Sequence, residues 1–412
     1  MKSILSLILT LVLAAANQGG SSGGNASGEN TGSDDVFIIE NIYKDFFLHG
    51  DYLVAHKPGQ LDCFNLATRE LTLGDDLIVH RPIAEGDFVY YTVDAGKSDM
   101  RDMIKVKCAN ISTGEVVWES EEYVFVWERY DCLKIFEGKL YLPDRPDRWT
   151  NFLWAVTLDL TTGIELNRVK LVNDFDRGMY LSPFYICDEY ELWAYGSVAG
   201  GAVSFCRMST QSGKIEHLRK KGAKGNEIAK FLLLDIFLGS NSFWGGNIYS
   251  ICMVEPNDEN CISWLLESFN VETSETKIVD ELKLDYSHFI FFADIIGDEL
   301  VWAHESLGQN DCVGRDCHMV EIITYDLATN TKTNNFSTNR LLPYMDIKFF
   351  DNTLYTYGFV DDTLTEKGII SIDLETHKVT SHVQLSSQFD KIDVSSQYIA
   401  YSTTENLYCQ SR

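Results

Sequence analysis

Along most of the chain, short runs either alternate apolar and polar residues, as in Ile104-Lys105-Val106-Lys107, or are mainly apolar, as in Ile322-Ile323-Thr324-Tyr325 and Glu115-Val116-Val117-Trp118. A period of two in β-branched and aromatic residues predicts half-buried strands. Between paired runs one turn recurs: Asn or Asp, an apolar residue, a variable one, Thr, then often Gly. Its copies are Asn65-Leu66-Ala67-Thr68, Asn110-Ile111-Ser112-Thr113-Gly114, Asp159-Leu160-Thr161-Thr162-Gly163, Asn270-Val271-Glu272-Thr273, Asp326-Leu327-Ala328-Thr329 and Asp373-Leu374-Glu375-Thr376, with a looser Ser209-Thr210-Gln211-Ser212-Gly213. A second turn type leads into aromatic strands, as in Gly50-Asp51-Tyr52-Leu53-Val54, Gly86-Asp87-Phe88-Val89-Tyr90 and Gly138-Lys139-Leu140-Tyr141. Two hairpins in each period of roughly 45 to 60 residues give four strands per repeat, within the range of propeller blades.

A lone four-stranded sheet exposes two apolar faces, and stacking such sheets radially buries both. Trp118, Trp154, Trp193, Trp264 and Trp302 are assigned to the core between blades. The last repeat is incomplete: Tyr398-Ile399-Ala400-Tyr401 and Leu407-Tyr408-Cys409 begin a unit that stops at Arg412 without its final strand. Val36-Phe37-Ile38-Ile39, ahead of the first repeat, supplies a candidate for that strand and would leave no open edge at the junction. The expected fold is an all-β propeller of four-stranded antiparallel blades, eight in number with seven as the alternative, closed by the N-terminal strand.

The Asp-Leu-x-Thr-Gly turn between paired strands resembles the repeat of the pyrroloquinoline-quinone-like propeller superfamily over nearly all of the chain after the leader. That superfamily includes quinoprotein alcohol dehydrogenases and non-catalytic scaffolds of outer-membrane assembly. The dehydrogenases carry adjacent cysteines over their cofactor, and this chain has no Cys-Cys pair. Their repeat Trp after Thr-Gly occurs once, at Trp118. The resemblance therefore implies the non-catalytic branch, and no cofactor or metal is expected.

The N-terminus adds a compartment. Lys2, the apolar run Ile4 to Ala16 and the small residues Ala14-Ala15-Ala16 form an export signal over 1–16. No cysteine follows the cleavage point to carry a lipid anchor, and no later stretch resembles a transmembrane helix. Residues 17–35 are Gly, Ser and Asn rich, a flexible leader, and 36–412 form a single propeller domain. The expected location is secreted and extracellular, or periplasmic in a Gram-negative source. The formal net charge of -27 repels phosphate backbones and anionic lipid heads, so nucleic acid is excluded as a partner. Ten cysteines in an oxidising compartment predict disulfides. Cys252 with Cys261 and Cys312 with Cys317 are the candidate hairpin pairs, and the other six leave fifteen connectivities open.

Signatures of catalysis are sparse. No nucleophile elbow, HExxH helix, Walker loop or dinucleotide fingerprint occurs, and the nine histidines are scattered. Among 61 acidic residues, pairs such as Asp361-Asp362 arise by chance. Loops between the second and third strands of the blades gather on one face and differ in length, from His56-Lys57-Pro58-Gly59 in the first to Glu305–Cys317 in the sixth. The third, Asp144-Arg145-Pro146-Asp147-Arg148-Trp149, offers Arg145, Arg148 and Trp149, residue types that dominate binding hot spots; pairing of these arginines with local acids is the plainer reading. Asn25, Asn110 and Asn335 match the glycosylation acceptor pattern, relevant in a eukaryotic source. The sequence leads to a secreted, monomeric, non-catalytic scaffold that binds an extracellular protein or glycan. The alternative is a propeller enzyme, either a quinone-dependent dehydrogenase or a carbohydrate-active hydrolase or lyase. Ionisable side chains converging at the channel with shifted protonation would point to the enzyme.

Overall fold

A computed structural model describes residues 36–412 except 41–42, 44, 99–100, 125–131, 146–151, 173–178, 198–203, 219, 222–227, 230–242, 255–260, 286–289, 307–318 and 343–344. The export signal, the leader, Asn25, Arg148, Trp149, Cys312 and Cys317 lie outside the described residues.

Eight four-stranded antiparallel sheets follow one another, each in simple up-and-down order. Blade 1 comprises Asp45–His49, Tyr52–Lys57, Gln60–Asn65 and Glu70–Asp76. Blades 2 to 7 repeat this plan, and blade 8 begins with Phe389–Val394, Tyr398–Thr403 and Leu407–Ser411. Its fourth strand is Phe37–Ile39, which runs antiparallel to Leu407–Ser411 with Phe37 opposite Cys409 and Ile39 opposite Leu407. The expected closure is therefore present, and the count is eight. Phe37, Ile39, Leu407 and Cys409 are buried together with Phe46 and Leu53 of blade 1, so the borrowed strand seals two blades at once. Tyr43 reinforces the junction by donating its hydroxyl to Asp62 Oδ2 of blade 1 at 2.5 Å.

Burial follows position in the sheet. Second and third strands are enclosed almost completely, as in Leu53–His56 and Leu61–Phe64, whereas fourth strands such as Glu70–Asp76 are largely exposed. Trp193 and Trp302 are fully buried and Trp118 nearly so, as assigned, while Trp154 is half-buried. The side chain of Trp264 lies outside the described set.

The recurring turn is an Asx turn in which a side-chain oxygen caps backbone amides that the reversing chain leaves unpaired. Asn65 Oδ1 accepts from the amides of Ala67 and Thr68, Asp159 Oδ1 from Thr161 and Thr162, and Asp373 Oδ1 from Glu375 and Thr376. In the looser copy the Ser209 hydroxyl accepts from Ser212. Four residues after the capping residue the backbone is left-handed in every copy, and the residue there is Arg69, Gly114, Gly163, Gly213, Ser274, Asn330 or His377. Glycine is thus favoured but not demanded by the turn. At two copies packing demands it as well. A Cβ on Gly114 would lie 2.3 Å from the Thr72 carbonyl oxygen of blade 1, and one on Gly163 2.4 Å from the Trp118 ring of blade 2.

Trp118 uses the approach of Gly163 to donate its indole N–H to the Leu160 carbonyl at 3.0 Å, docking blade 2 on blade 3. The same register position in blade 6 is Asn334, whose amide donates to the equivalent carbonyl, Leu374, at 2.6 Å. The repeat Trp that sequence shows only once has a shorter functional substitute, invisible to a search for aromatic residues.

One expectation requires correction. Cys63, Cys108, Cys132, Cys187, Cys206 and Cys409 are free thiols. The hairpin pairing of Cys252 with Cys261 also fails on register: Cys252 stands opposite Leu265 and Cys261 opposite Asp285. Four residues of offset along a strand separate the two by about 13 Å, against the roughly 7 Å limit between Cα atoms in a disulfide.

Candidate functional site

Among the described residues two charged places are considered, the channel wall formed by blades 7, 8 and 1, and the root of the third loop. At the first, Asp45 opens the inner strand of blade 1. Its carboxylate meets Lys391 of blade 8, Arg81 Nε at 3.1 Å from the blade 1 to 2 connection, and the His56 ring at 3.7 Å. Burial opposes ionisation of Asp45, but His56, Arg81 and Lys391 outweigh it and hold its carboxyl well below the usual range. Further along the wall, Lys348 of blade 7 stands 3.7 Å from Asp393 of blade 8. Burial pushes the carboxyl groups of Asp346 and Asp393 upward, against the pull of the Ile392 amide and Lys348 at Asp346, and of Lys348 and the Leu48 amide at Asp393.

Ionisable groups with opposed shifts do converge on the channel, the arrangement that sequence reasoning set as a sign of acid-base chemistry. Two of these carboxylates also bond backbone amides of a neighbouring blade. Asp393 Oδ2 accepts from the Leu48 amide of blade 1 at 2.7 Å, and Asp346 Oδ2 accepts from the Ile392 amide of blade 8 at 2.9 Å. An innermost strand has no sheet partner on its channel edge, so these carboxylates satisfy amides of the next blade in the ring. The network is a seam across the closing blade, built from residues that no local motif marks.

The third loop is rooted in a second buried acid. Asp144 is 1 % exposed; its Oδ1 accepts from the Val124 amide of blade 2 at 2.9 Å and its Oδ2 from Arg168 at 2.5 Å. Burial pushes its carboxyl upward, partly countered by that amide and by Arg168. Arg168 also grips Glu165 through two nitrogens and lies over the Tyr123 ring, so the root is braced between blades 2 and 3. Arg145, the next residue, is half-buried at the start of the loop; it is the one member of the proposed hot spot that the structure locates.

Among the described residues the histidines do not gather at one site. His80 bonds Thr92, His217 bonds Tyr195, His304 lies 3.1 Å from Glu321, His377 bonds Asn334 and His382 bonds Ser371. Among the described residues no three His, Cys, Asp or Glu side chains are placed to share a metal ion, and no helix is long and apolar enough to cross a membrane. Asn110 Oδ1 caps its turn by accepting from the Ser112 and Thr113 amides. Asn335 is exposed on the outer strand of blade 6.

No protein-family model and no curated protein matches the chain in sequence. Solved structures match in overall path. BamB from Moraxella catarrhalis is 12% identical, with 92% of this chain and 100% of that one covered at a TM-score of 0.49. The quinohemoprotein alcohol dehydrogenase from Comamonas testosteroni is 7% identical, with coverage of 92% and 76% and a TM-score of 0.49. The β-propeller domain of the Trilobed protease from Pyrococcus furiosus is 12% identical, with coverage of 81% and 92% and a TM-score of 0.45. Likenesses at this level transfer no residue roles, and the architecture rests on strand order, capped turns and closure. On those grounds the chain has the fold of an eight-bladed β-propeller closed by its N-terminal strand.

Proposed function

We propose that the protein is an exported, monomeric, non-catalytic propeller that holds an extracellular protein or glycan through the face bearing its second-to-third strand loops. One observation carries the reading: the carboxylates converging on the channel wall, Asp346 and Asp393, bond the backbone amides of the next blade, and Asp45 is enclosed by cations. Such groups hold the ring shut. The loop face supports the same reading, since the connection in blade 1 is only Pro58-Gly59 whereas those of blades 3 and 6 span 145–152 and 307–318. Variable loops on a rigid scaffold are where binding residues concentrate.

The test is native mass spectrometry of the protein recovered from its own secretion, paired with the variant Arg148→Ala/Trp149→Ala. A co-purifying protein or glycan that the variant loses, with an unchanged melting temperature, supports the proposal. A co-purifying redox cofactor or turnover of a glycan would overturn it in favour of an enzyme. Recovery of a chain beginning at Asn17 from outside the cell checks export.

A further inference from the structure

Among the described residues, exposed aliphatic side chains recur on the outer rim of three successive blades. Leu71 of blade 1, Val116 and Val117 of blade 2, and Ile164 and Leu166 of blade 3 are each between 43% and 64% exposed. All five lie five to seven residues beyond the capping residue of their turn, Asn65, Asn110 or Asp159. They form one arc, because the blades interlock there. Thr72, next to Leu71, touches Gly114 of the blade 2 turn, and Trp118, next to Val117, touches Gly163 of the blade 3 turn.

The fold does not require this. The same stretch reads Glu275-Thr276-Lys277 in blade 5 and Thr331-Lys332-Thr333 in blade 6. In blades 4 and 7 it holds an apolar residue, Ile215 or Val379, that packs into the core. Large aliphatic side chains facing water on three successive blades need another explanation, since monomeric proteins keep such patches small.

Charge selects the occupant. Glu70, Glu115 and Glu121 stand exposed along the arc in a chain of net charge -27, which disfavours a second copy of the chain or an anionic lipid surface. The outer strand of blade 2, Val116–Val124, ends its sheet and so offers an open backbone edge. We propose that this rim docks an extended segment of another protein in which aliphatic residues alternate with lysine or arginine. The segment adds as a fifth strand to blade 2, its aliphatic side chains reaching Leu71 on one flank and Ile164 and Leu166 on the other. This site is separate from the loop face and stands or falls without it.

The probe is a fluorescein-labelled synthetic peptide of alternating valine and lysine, titrated with the full-length protein and read by anisotropy. A valine-glutamate peptide of equal length is the control. The charge-neutral variant Val117→Ser/Ile164→Ser/Leu166→Ser weakens binding by about tenfold or more, while Ile278→Ser, at an exposed aliphatic position of blade 5, leaves it unchanged. Both variants retain the wild-type melting temperature. Equal binding of the two peptides, no binding of the lysine peptide, full binding by the triple variant, or equal loss with Ile278→Ser each overturns the proposal. So does sedimentation showing a wild-type dimer that the triple variant lacks, since the arc would then belong to a self-contact.

Discussion

Adding one methyl group at Gly163 tests how the blades interlock. The residue has φ +69°, and a Cβ there would lie 2.4, 2.7 and 2.9 Å from three atoms of the Trp118 ring. Trp118 is 9 % exposed, packs against Tyr90 at 6.0 Å between ring centroids, and donates to Leu160 O. It cannot withdraw without giving up that bond and its packing. A left-handed alanine costs about 1 kcal/mol, overpacking about 1–3 kcal/mol and the displaced hydrogen bond about 1 kcal/mol. Gly163→Ala is therefore expected to destabilise the protein by about 3–5 kcal/mol, a fall in melting temperature of roughly 4 to 6 °C for a domain of this length. Gly213 supplies the internal control: it has φ +64° in the equivalent turn with nothing within 4 Å of its added Cβ. Gly213→Ala isolates the backbone term of about 1 kcal/mol. Thermal and urea unfolding of both variants measures the difference, and a double-mutant cycle with Trp118→Asn, which copies Asn334, assigns it to the ring. In the Trp118→Asn background Gly163→Ala is expected to cost no more than Gly213→Ala does in the wild type. Equal losses for the two glycines in the wild type would refute the docking argument.

Three further outcomes follow from the closure and the thiols. The depressed Asp45 carboxyl stabilises the fold above its unfolded value, near 3.8, and that contribution is lost as pH falls through the lower folded value; Asp45→Asn should cost about 3 kcal/mol at pH 7 and flatten the acid limb of a stability-pH curve below about pH 4. Asp346 and Asp393 act in the opposite sense, since a raised folded value favours the protonated form and its contribution fades as pH rises through it. Phe37→Ala removes a buried ring from the closing strand and should cost about 3 kcal/mol, with hydrogen exchange accelerating first in Leu407–Ser411. Native labelling with a maleimide, read by peptide mass mapping, should modify half-exposed Cys187 before buried Cys63, Cys206, Cys108 and Cys409; burial pushes the last two thiols up to about 11 and about 12.

The architecture was legible in the amino-acid sequence because turns are local. An Asn or Asp that caps two amides within three residues, a left-handed position after it, and strands of period two all act over a few bonds, so each copy announces itself. The stranded Val36-Phe37-Ile38-Ile39 segment and the unfinished last repeat likewise revealed the closure, since an unpaired edge and an unpaired strand must be matched. What tertiary structure decided is which side chains meet across blades. Leu48 and Asp393 are bonded although 345 positions apart, and neither sits in a motif; only ring closure brings an inner strand's bare amides to a neighbour's carboxylate. Asn334 replaces a tryptophan because the bond it makes depends on register and not on residue type. Register also separates Cys252 from Cys261, which sequence spacing alone had placed together. The exposed arc on blades 1 to 3 belongs to the same class, for alternation marks a residue as facing out from its own strand, but whether a neighbouring blade covers it is settled by the packing of the ring.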